Sequence, residues 1–283
     1  MISIGLAGWG DHPELYPSGV AARNKLHVYS SHFRVVEIDS TFYAIPRMAT
    51  ADKWANVTPD GFGFVVKAYQ GMTGHMRGPI PYPDRRSMFD EFTSAMNPLL
   101  AAGKLKAVLF QYPPWFQCSK ENVALLREHQ ELMGEGWPLA LEFRHQSWFR
   151  PDIREKTLRF MEQEGWIHAV CDEPQAGSGS VPAVPVATHP ELTIVRFHGR
   201  NEAGWNQDGN PNWREIRYLY KYTEDELSGW VPLVKKLNGQ SKEVILLFNN
   251  NSGGDAASNA KQMIRILGLP EQGLAPKQLE LFD

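Results

Sequence analysis

Eight short apolar runs, rich in β-branched and aromatic residues and separated by stretches of helical period, constrain this chain more than any other feature of its sequence. The predicted strands are Ile2 to Ala7, Val35 to Thr41, Gly63 to Lys67, Ala107 to Gln111, Leu139 to Arg144, Ile167 to Asp172, Thr193 to His198 and Val244 to Asn249. Between them apolar positions recur at helical spacing, as in Met88, Phe92, Ala95 and Leu99, or Leu227, Trp230, Val234 and Leu237. A strand followed by a crossover helix calls for parallel pairing, because a two-residue hairpin cannot join parallel neighbours. The expected fold is therefore α/β, a single (β/α)8 barrel of the TIM type over residues 1–268, followed by a flexible linker and tail peptide at 269–283. The sixth crossover breaks the pattern. It reads Glu173-Pro174-Gln175-Ala176-Gly177-Ser178-Gly179-Ser180 with further prolines at 182, 185 and 190, which predicts a loop rather than a helix. The rival, an open doubly wound sheet, would carry a glycine-rich nucleotide loop after its first strand, and Gly5-Leu6-Ala7-Gly8-Trp9-Gly10 is not one.

A net charge of −3 over 283 residues supplies no global basic field, so any contact with nucleic acid has to be local. No apolar run approaches the ~20 residues of a membrane span, and the start of the sequence lacks the pattern of a signal peptide. No membrane association and a cytoplasmic location are expected. Cys118 and Cys171 have neither a CxxC partner nor metal-ligand spacing, which suits two incidental thiols in a reducing compartment.

Strand side chains alternate between faces, so parity says which ones point into the barrel. If Val65 points in, Lys67 follows. Glu37 and Asp39 share a face in the second strand, Glu142 and Arg144 in the fifth, and Arg196 and His198 in the seventh. Gln111, Asp172 and either Asn249 or Asn250 complete the set at the ends of the fourth, sixth and eighth. Such a gathering at one end is what a barrel enzyme needs, since its chemistry is assembled from strand ends and the loops after them. The structural alternative is an ion-pair network that closes the top of the barrel. Buried charges cost several kcal/mol each unless well paired, so a sequence shaped only for stability would favour aliphatic residues here.

Five ordered motifs carry a family resemblance. Val36-Glu37-Ile38-Asp39-Ser40-Thr41-Phe42-Tyr43-Ala44-Ile45-Pro46, Gln111-Tyr112-Pro113-Pro114-Trp115-Phe116, Glu142-Phe143-Arg144-His145-Gln146-Ser147-Trp148, Val195-Arg196-Phe197-His198-Gly199 and Phe248-Asn249-Asn250-Asn251-Ser252-Gly253-Gly254 resemble the YecE-like family, domain of unknown function 72. The resemblance implies a TIM-type barrel and no particular activity. The chain departs from the family pattern at Ala7, where a serine is usual, and at Asp39, where asparagine is frequent.

The residues themselves suggest chemistry. Lys67, Arg144 and Arg196 converging on one mouth would form an anion pocket, because guanidinium forks match phosphate or carboxylate oxygens. His198 is the inward group expected to exchange protons near neutral pH, with Glu142, Glu37 and Asp172 as catalytic carboxylates. Gln111 and Asn249 would contact substrate, and Trp9, Tyr43, Trp115 and Trp148, each just beyond a strand end, would stack on a base or a sugar ring. A divalent metal held by these carboxylates and His198 is a further option, although no HxH or HExxH pair supports it. The leading expectation is a hydrolase or nuclease-like enzyme acting by general acid/base chemistry on a phosphate-bearing substrate. Gln278-Leu279-Glu280-Leu281-Phe282 resembles the QLxLF peptide that docks on the bacterial sliding clamp, with Gln278, Leu279, Leu281 and Phe282 as the anchors. A clamp-recruited binding module without chemistry is thus the second class, and an apolar plug on the barrel is the alternative for that peptide. A carbohydrate enzyme ranks third. Glycosidases need two facing carboxylates, and here the fourth and seventh strands end in Gln111 and His198.

Overall fold

The structure, a computed structural model, describes residues 1–205 and 212–276. Eight parallel strands close into a barrel in chain order: β1 (Ile2–Ala7), β2 (Val35–Ile38), β3 (Gly63–Lys67), β4 (Leu105–Gln111), β5 (Leu139–Glu142), β6 (Ile167–Asp172), β7 (Leu192–Phe197) and β8 (Glu243–Phe248). Closure is made by β1, which pairs with β8 through Ile2 to Leu6 and with β2 through Gly5 to Ala7. Around the barrel run α1 (Lys25–Tyr29), α2 (Ser40–Tyr43), α3 (Met48–Val57), α4 (Arg85–Ala101), α5 (Lys120–Met133), α6 (Arg154–Gln163), α7 (Glu202–Trp205), α8 (Trp213–Arg217), α9 (Glu224–Asn238) and α10 (Ala256–Ile266). As predicted, the segment between β6 and β7 contains no helix.

Two apolar layers result from strand parity. Alternate residues of one set, such as Val36, Phe64, Phe110, Leu141 and Leu246, pack outward against the helices. The other set fills the barrel interior: Val35, Val65, Ala107, Leu109, Ala140, Ile167, Ala169, Ile194, Ile245 and Leu247 among them. The predicted apolar stripes of α4 and α9 are buried against the barrel. Thr223 and Glu226 form a reciprocal cap at the start of α9, and Lys235 and Lys236 occupy its last turn, where cations complement the helix dipole.

Two boundaries differ from the sequence expectation. The second strand ends at Ile38 rather than Thr41, because the Thr41 hydroxyl donates to the carbonyls of Ile38 and Lys67 and turns the chain into α2. The expected linker after residue 268 is held at least as far as Ala275, since the N–H groups of Leu274 and Ala275 donate to the Ser30 carbonyl. Gln272 and Ala275 are buried there, and a Cβ at Gly273 would stand 1.8 Å from the Ser31 oxygen, so only glycine allows this approach. Gln278, Leu279, Leu281 and Phe282 lie outside the described residues.

Candidate functional site at the barrel mouth

Six of the eight strands place a polar or charged mouth residue two positions beyond an interior apolar residue. Thus Glu37 follows Val35, Lys67 follows Val65, Gln111 follows Leu109, Glu142 follows Ala140, Arg196 follows Ile194 and Asn249 follows Leu247. The apolar interior is therefore capped by a layer of charge.

The lower part of that layer is a buried chain of ion pairs. Arg196 donates from Nε to Glu37 at 2.8 Å, from Nη2 to the other Glu37 oxygen, and from Nη1 to Glu142 at 2.5 Å. Arg144 donates from Nε to the second Glu142 oxygen at 2.5 Å, from Nη1 to Glu173 at 2.5 Å, and from Nη2 to His198 Nε2 at 2.8 Å. Glu173 also accepts from the Val181 N–H at 2.7 Å. The order Glu37, Arg196, Glu142, Arg144, Glu173 engages every nitrogen of both guanidinium groups. All five side chains are at most 2% exposed.

Burial and these contacts fix the protonation states. Desolvation alone would raise the Glu142 pKa, but Arg144 and Arg196 outweigh it and hold the carboxyl below its ordinary value. Burial pushes Glu37 and Glu173 up to about 7, against the pull of their arginines. His198 goes the other way: burial, then Arg144 and Arg196, push it well below 6.5. A guanidinium has no acceptor, so Nε2 of His198 is the bare nitrogen and the ring proton sits on Nδ1. The Asn249 amide nitrogen Nδ2 lies 3.1 Å from Nδ1, and a half-turn of that amide brings its oxygen to the Nδ1 proton. The expectation that His198 exchanges protons near neutral pH does not survive this geometry. It is a neutral hydrogen-bonding member of the network.

Above the buried chain lies a more open rim. Lys67 Nζ sits 3.5 Å from Asp39 and 4.6 Å over the Phe42 ring, with side-chain exposures of 15% for Lys67 and 35% for Asp39. Gln111 and Asn249 are half-buried, while Tyr43 and Trp115 are 51% and 55% exposed. His75 packs edge-on to Phe42 and Trp115 and is held at about 4, by burial first and then by Lys67 and Arg144.

Two predicted site residues do not join the mouth. Asp172 points outward, because Ile167, Ala169 and Cys171 take the inward face of β6; it accepts from Arg200 at 2.8 and 2.7 Å and from Trp230 Nε1 at 2.5 Å. It thereby fastens α9 to the barrel. Trp148 is 1% exposed, stacks on Phe143 at 4.0 Å between ring centres, and donates from Nε1 to the Phe116 carbonyl. It anchors a loop and offers no face to a ligand.

Several residues of the mouth were missed. Glu173 shares parity with Cys171, so a count of two beyond Ala169 and Cys171 would have found it. Trp205 and Arg217 carry no periodic signal. The Arg217 guanidinium lies 4.0 Å over the Trp205 ring and that of Arg144 5.7 Å from the same ring, so the indole separates two cations. Among the described residues Arg217 Nε is buried without a hydrogen-bond partner, and its charge acts on both His198 and Glu173.

Glu142, Cys171 and His198 bring potential metal-ligand atoms within 4.8 Å of one another. Both Glu142 oxygens and His198 Nε2 are already bonded to guanidinium groups, and burial holds the Cys171 thiol well above its ordinary pKa. This set does not fit a dication while the two arginines stand beside it. The cysteines carry no disulfide, and no helix among the described residues is long and apolar enough to cross a membrane.

Known proteins share this architecture. UPF0759 protein YunF of Bacillus subtilis is 56% identical over 283 residues, covering 100% of both chains. The crystal structure of a DUF72 family protein from Enterococcus faecalis is 38% identical, with a TM-score of 0.91 over 99% of this chain and 100% of that one. A second, from Thermotoga maritima, is 32% identical with a TM-score of 0.80, over 95% and 99%. The family model described as "Protein of unknown function DUF72" matches residues 3–280, nearly the whole barrel, and the chain belongs to that family.

Proposed function

We propose that this protein is a cytoplasmic hydrolase that binds a phosphate-bearing substrate at the barrel mouth and acts on it by general acid/base chemistry. The observation that supports this is a division among the cations. Every guanidinium nitrogen of Arg144 and Arg196 has a protein partner, whereas among the described residues Lys67 has one 3.5 Å ion pair and Arg217 Nε has no partner. Lys67 and Arg217 hold the phosphoryl oxygens, which suit charge-assisted donors. Gln111 and Asn249 orient the substrate, and Tyr43 and Trp115 offer faces to a ring. Asp39 is the accessible carboxylate that takes a proton from an attacking water. Glu142, Glu37, Arg196, Arg144 and His198 form a fixed floor that sets the potential beneath the substrate rather than reacting with it.

The test is turnover of a bis-aryl phosphodiester by the purified protein. Asp39→Asn should lower kcat by about 100-fold, the low end of what a general base contributes, while leaving KM within a factor of about two. Absence of turnover by the wild-type protein, or full activity in Asp39→Asn, would overturn the assignment.

A second role, recruitment to the bacterial sliding clamp through Gln278, Leu279, Leu281 and Phe282, is supported by the match to QLxLF and by the exposed position of Pro276 just before it. A six-residue peptide that orders on binding gives up roughly 1–2 kcal/mol per residue, so micromolar affinity is expected. Removal of residues 278–283 should abolish binding to purified clamp and leave the melting temperature unchanged. A large drop in melting temperature with no clamp binding by the intact protein would instead make the peptide a plug.

A further inference from the structure

A second cationic surface lies outside the mouth. Between the segment Ala22–Asn24 with α1 on one side and α3 on the other runs a groove of about 440 Å³. Arg23, Arg47 and Lys53 line it together with Trp9, Trp54 and Thr50, and no carboxylate does. Some surface cations are paired, as Arg85 is with Glu128, Lys106 with Glu243, Arg127 with Glu164 and Arg200 with Asp172. Arg23, Arg47 and Lys53 have no such pair among the described residues. On a chain of net charge −3, three cations gathered without a counter-charge are a local exception.

The aromatic lining narrows the ligand. Trp9 and Trp54 meet edge to face, with ring centres 5.8 Å apart, and both are only half-buried. Cations that follow a phosphodiester backbone, beside indoles on which bases stack, are the combination that single-stranded nucleic acid uses. An acidic peptide would engage the cations but has no planar faces for the indoles. The groove also leads to the mouth. Trp9 follows Gly8, whose N–H donates to the Glu37 carbonyl at 2.9 Å, and Arg47 lies four residues beyond the rim residue Tyr43.

We infer that the Trp9–Trp54 groove binds a single-stranded polynucleotide, with Arg23, Arg47 and Lys53 on its phosphates and its end directed to the barrel mouth. The groove deepens the phosphate assignment by naming the substrate class, and only the direction of the strand toward the mouth depends on that assignment.

The experiment is fluorescence anisotropy with a labelled oligothymidylate of about twelve nucleotides, within the span of known single-strand sites. The wild-type protein should bind it at about 50 mM salt, with affinity falling as salt rises. The triple variant Arg23→Ala, Arg47→Ala, Lys53→Ala should bind at least tenfold more weakly, and the slope of log affinity against log salt should shrink by about two, which is three phosphates at ~0.7 each. All three side chains are exposed, so unchanged circular dichroism will confirm the fold. Trp9→Phe should lose part of the tryptophan quenching that stacking produces. Oligothymidylate binding that the triple variant loses, in a protein that never binds inorganic phosphate, would keep the groove and remove the mouth assignment. Absence of oligonucleotide binding, equal binding by the triple variant, or equal displacement by polyglutamate would overturn the groove.

Discussion

The floor of the mouth and its rim are built from the same residue types and do different work. In the floor, two arginines are locked between three glutamates and a histidine, all buried, with a protein partner at every guanidinium nitrogen. In the rim, Lys67 and Asp39 stand 3.5 Å apart and partly exposed, and Arg217 covers an indole with one donor unused. A charged cluster is therefore not uniformly a binding site. What separates scaffold from site is the count of donors still unspent once the protein has satisfied itself.

Removing a floor residue should have the largest effect. Arg196→Met leaves Glu37 and Glu142 as buried carboxylates without their guanidinium, and breaking such a pair costs about 3–5 kcal/mol. Urea denaturation measures it. Adding Glu37→Gln to Arg196→Met should recover part of the loss, since one orphaned charge disappears. A cost below about 1 kcal/mol for Arg196→Met would mean that the floor is no scaffold.

The pH dependence of stability comes next, and the two kinds of buried group pull in opposite directions. His75, His129 and His168 are pushed down to about 4, chiefly by burial, and His198 lower still, against an ordinary value of 6.5. Their contribution is present above pH 6.5 and is lost as pH falls, because the unfolded chain takes up protons that the folded one refuses. Glu37 and Glu173, raised to about 7 from 4.5, contribute stability that is full below pH 4.5 and is lost as pH rises through 7. Four groups outweigh two. Stability should therefore fall as pH drops from 6.5 to 4.5, with a slope of up to about 2.7 kcal/mol per pH unit for a difference of two protons. Glu173→Gln removes one opposing group and should steepen the slope by up to about 1.4 kcal/mol per unit. Denaturant midpoints measured across this range check both, and a flat profile would contradict the assignments.

Smaller effects separate anchor from rim among the aromatics. Trp148→Phe loses the bond to the Phe116 carbonyl and should cost about 1 kcal/mol without altering ligand binding. Trp115→Ala, at an exposed position, should change stability by less than about 0.5 kcal/mol while weakening substrate binding.

How much of this was legible follows from the physics of each signal. The barrel was readable because strand runs recur eight times with helical periods between most of them, and a proline- and glycine-rich sixth crossover reads as a loop. Parity pointed to Glu37, Lys67, Gln111, Glu142 and Arg196, each two residues beyond an interior apolar residue, to His198 two beyond Arg196, and to Asn249 or Asn250, of which Asn249 lies two beyond Leu247. It failed at Asp172, chosen for its charge although Ala169 and Cys171 already set the inward face. Trp148 looked like a stacking platform because a sequence does not show that the indole N–H has found a carbonyl. The pKa of His198 depends on guanidinium groups that two different strands deliver. Trp205 and Arg217 end two helices of four and five residues, α7 and α8, too short to show a period.

The central claim, that the floor is satisfied by the protein and the rim awaits an anion, is tested most directly by thermal unfolding of the wild-type protein and Lys67→Ala with and without inorganic phosphate. A ligand at ~100 times its Kd stabilises the folded state by about 2.7 kcal/mol. The account predicts that phosphate raises the wild-type Tm, and that at the same concentration Lys67→Ala loses most of the shift while its own ligand-free Tm stays close to wild type. Equal phosphate stabilisation of both proteins, or none of the wild type, would contradict it.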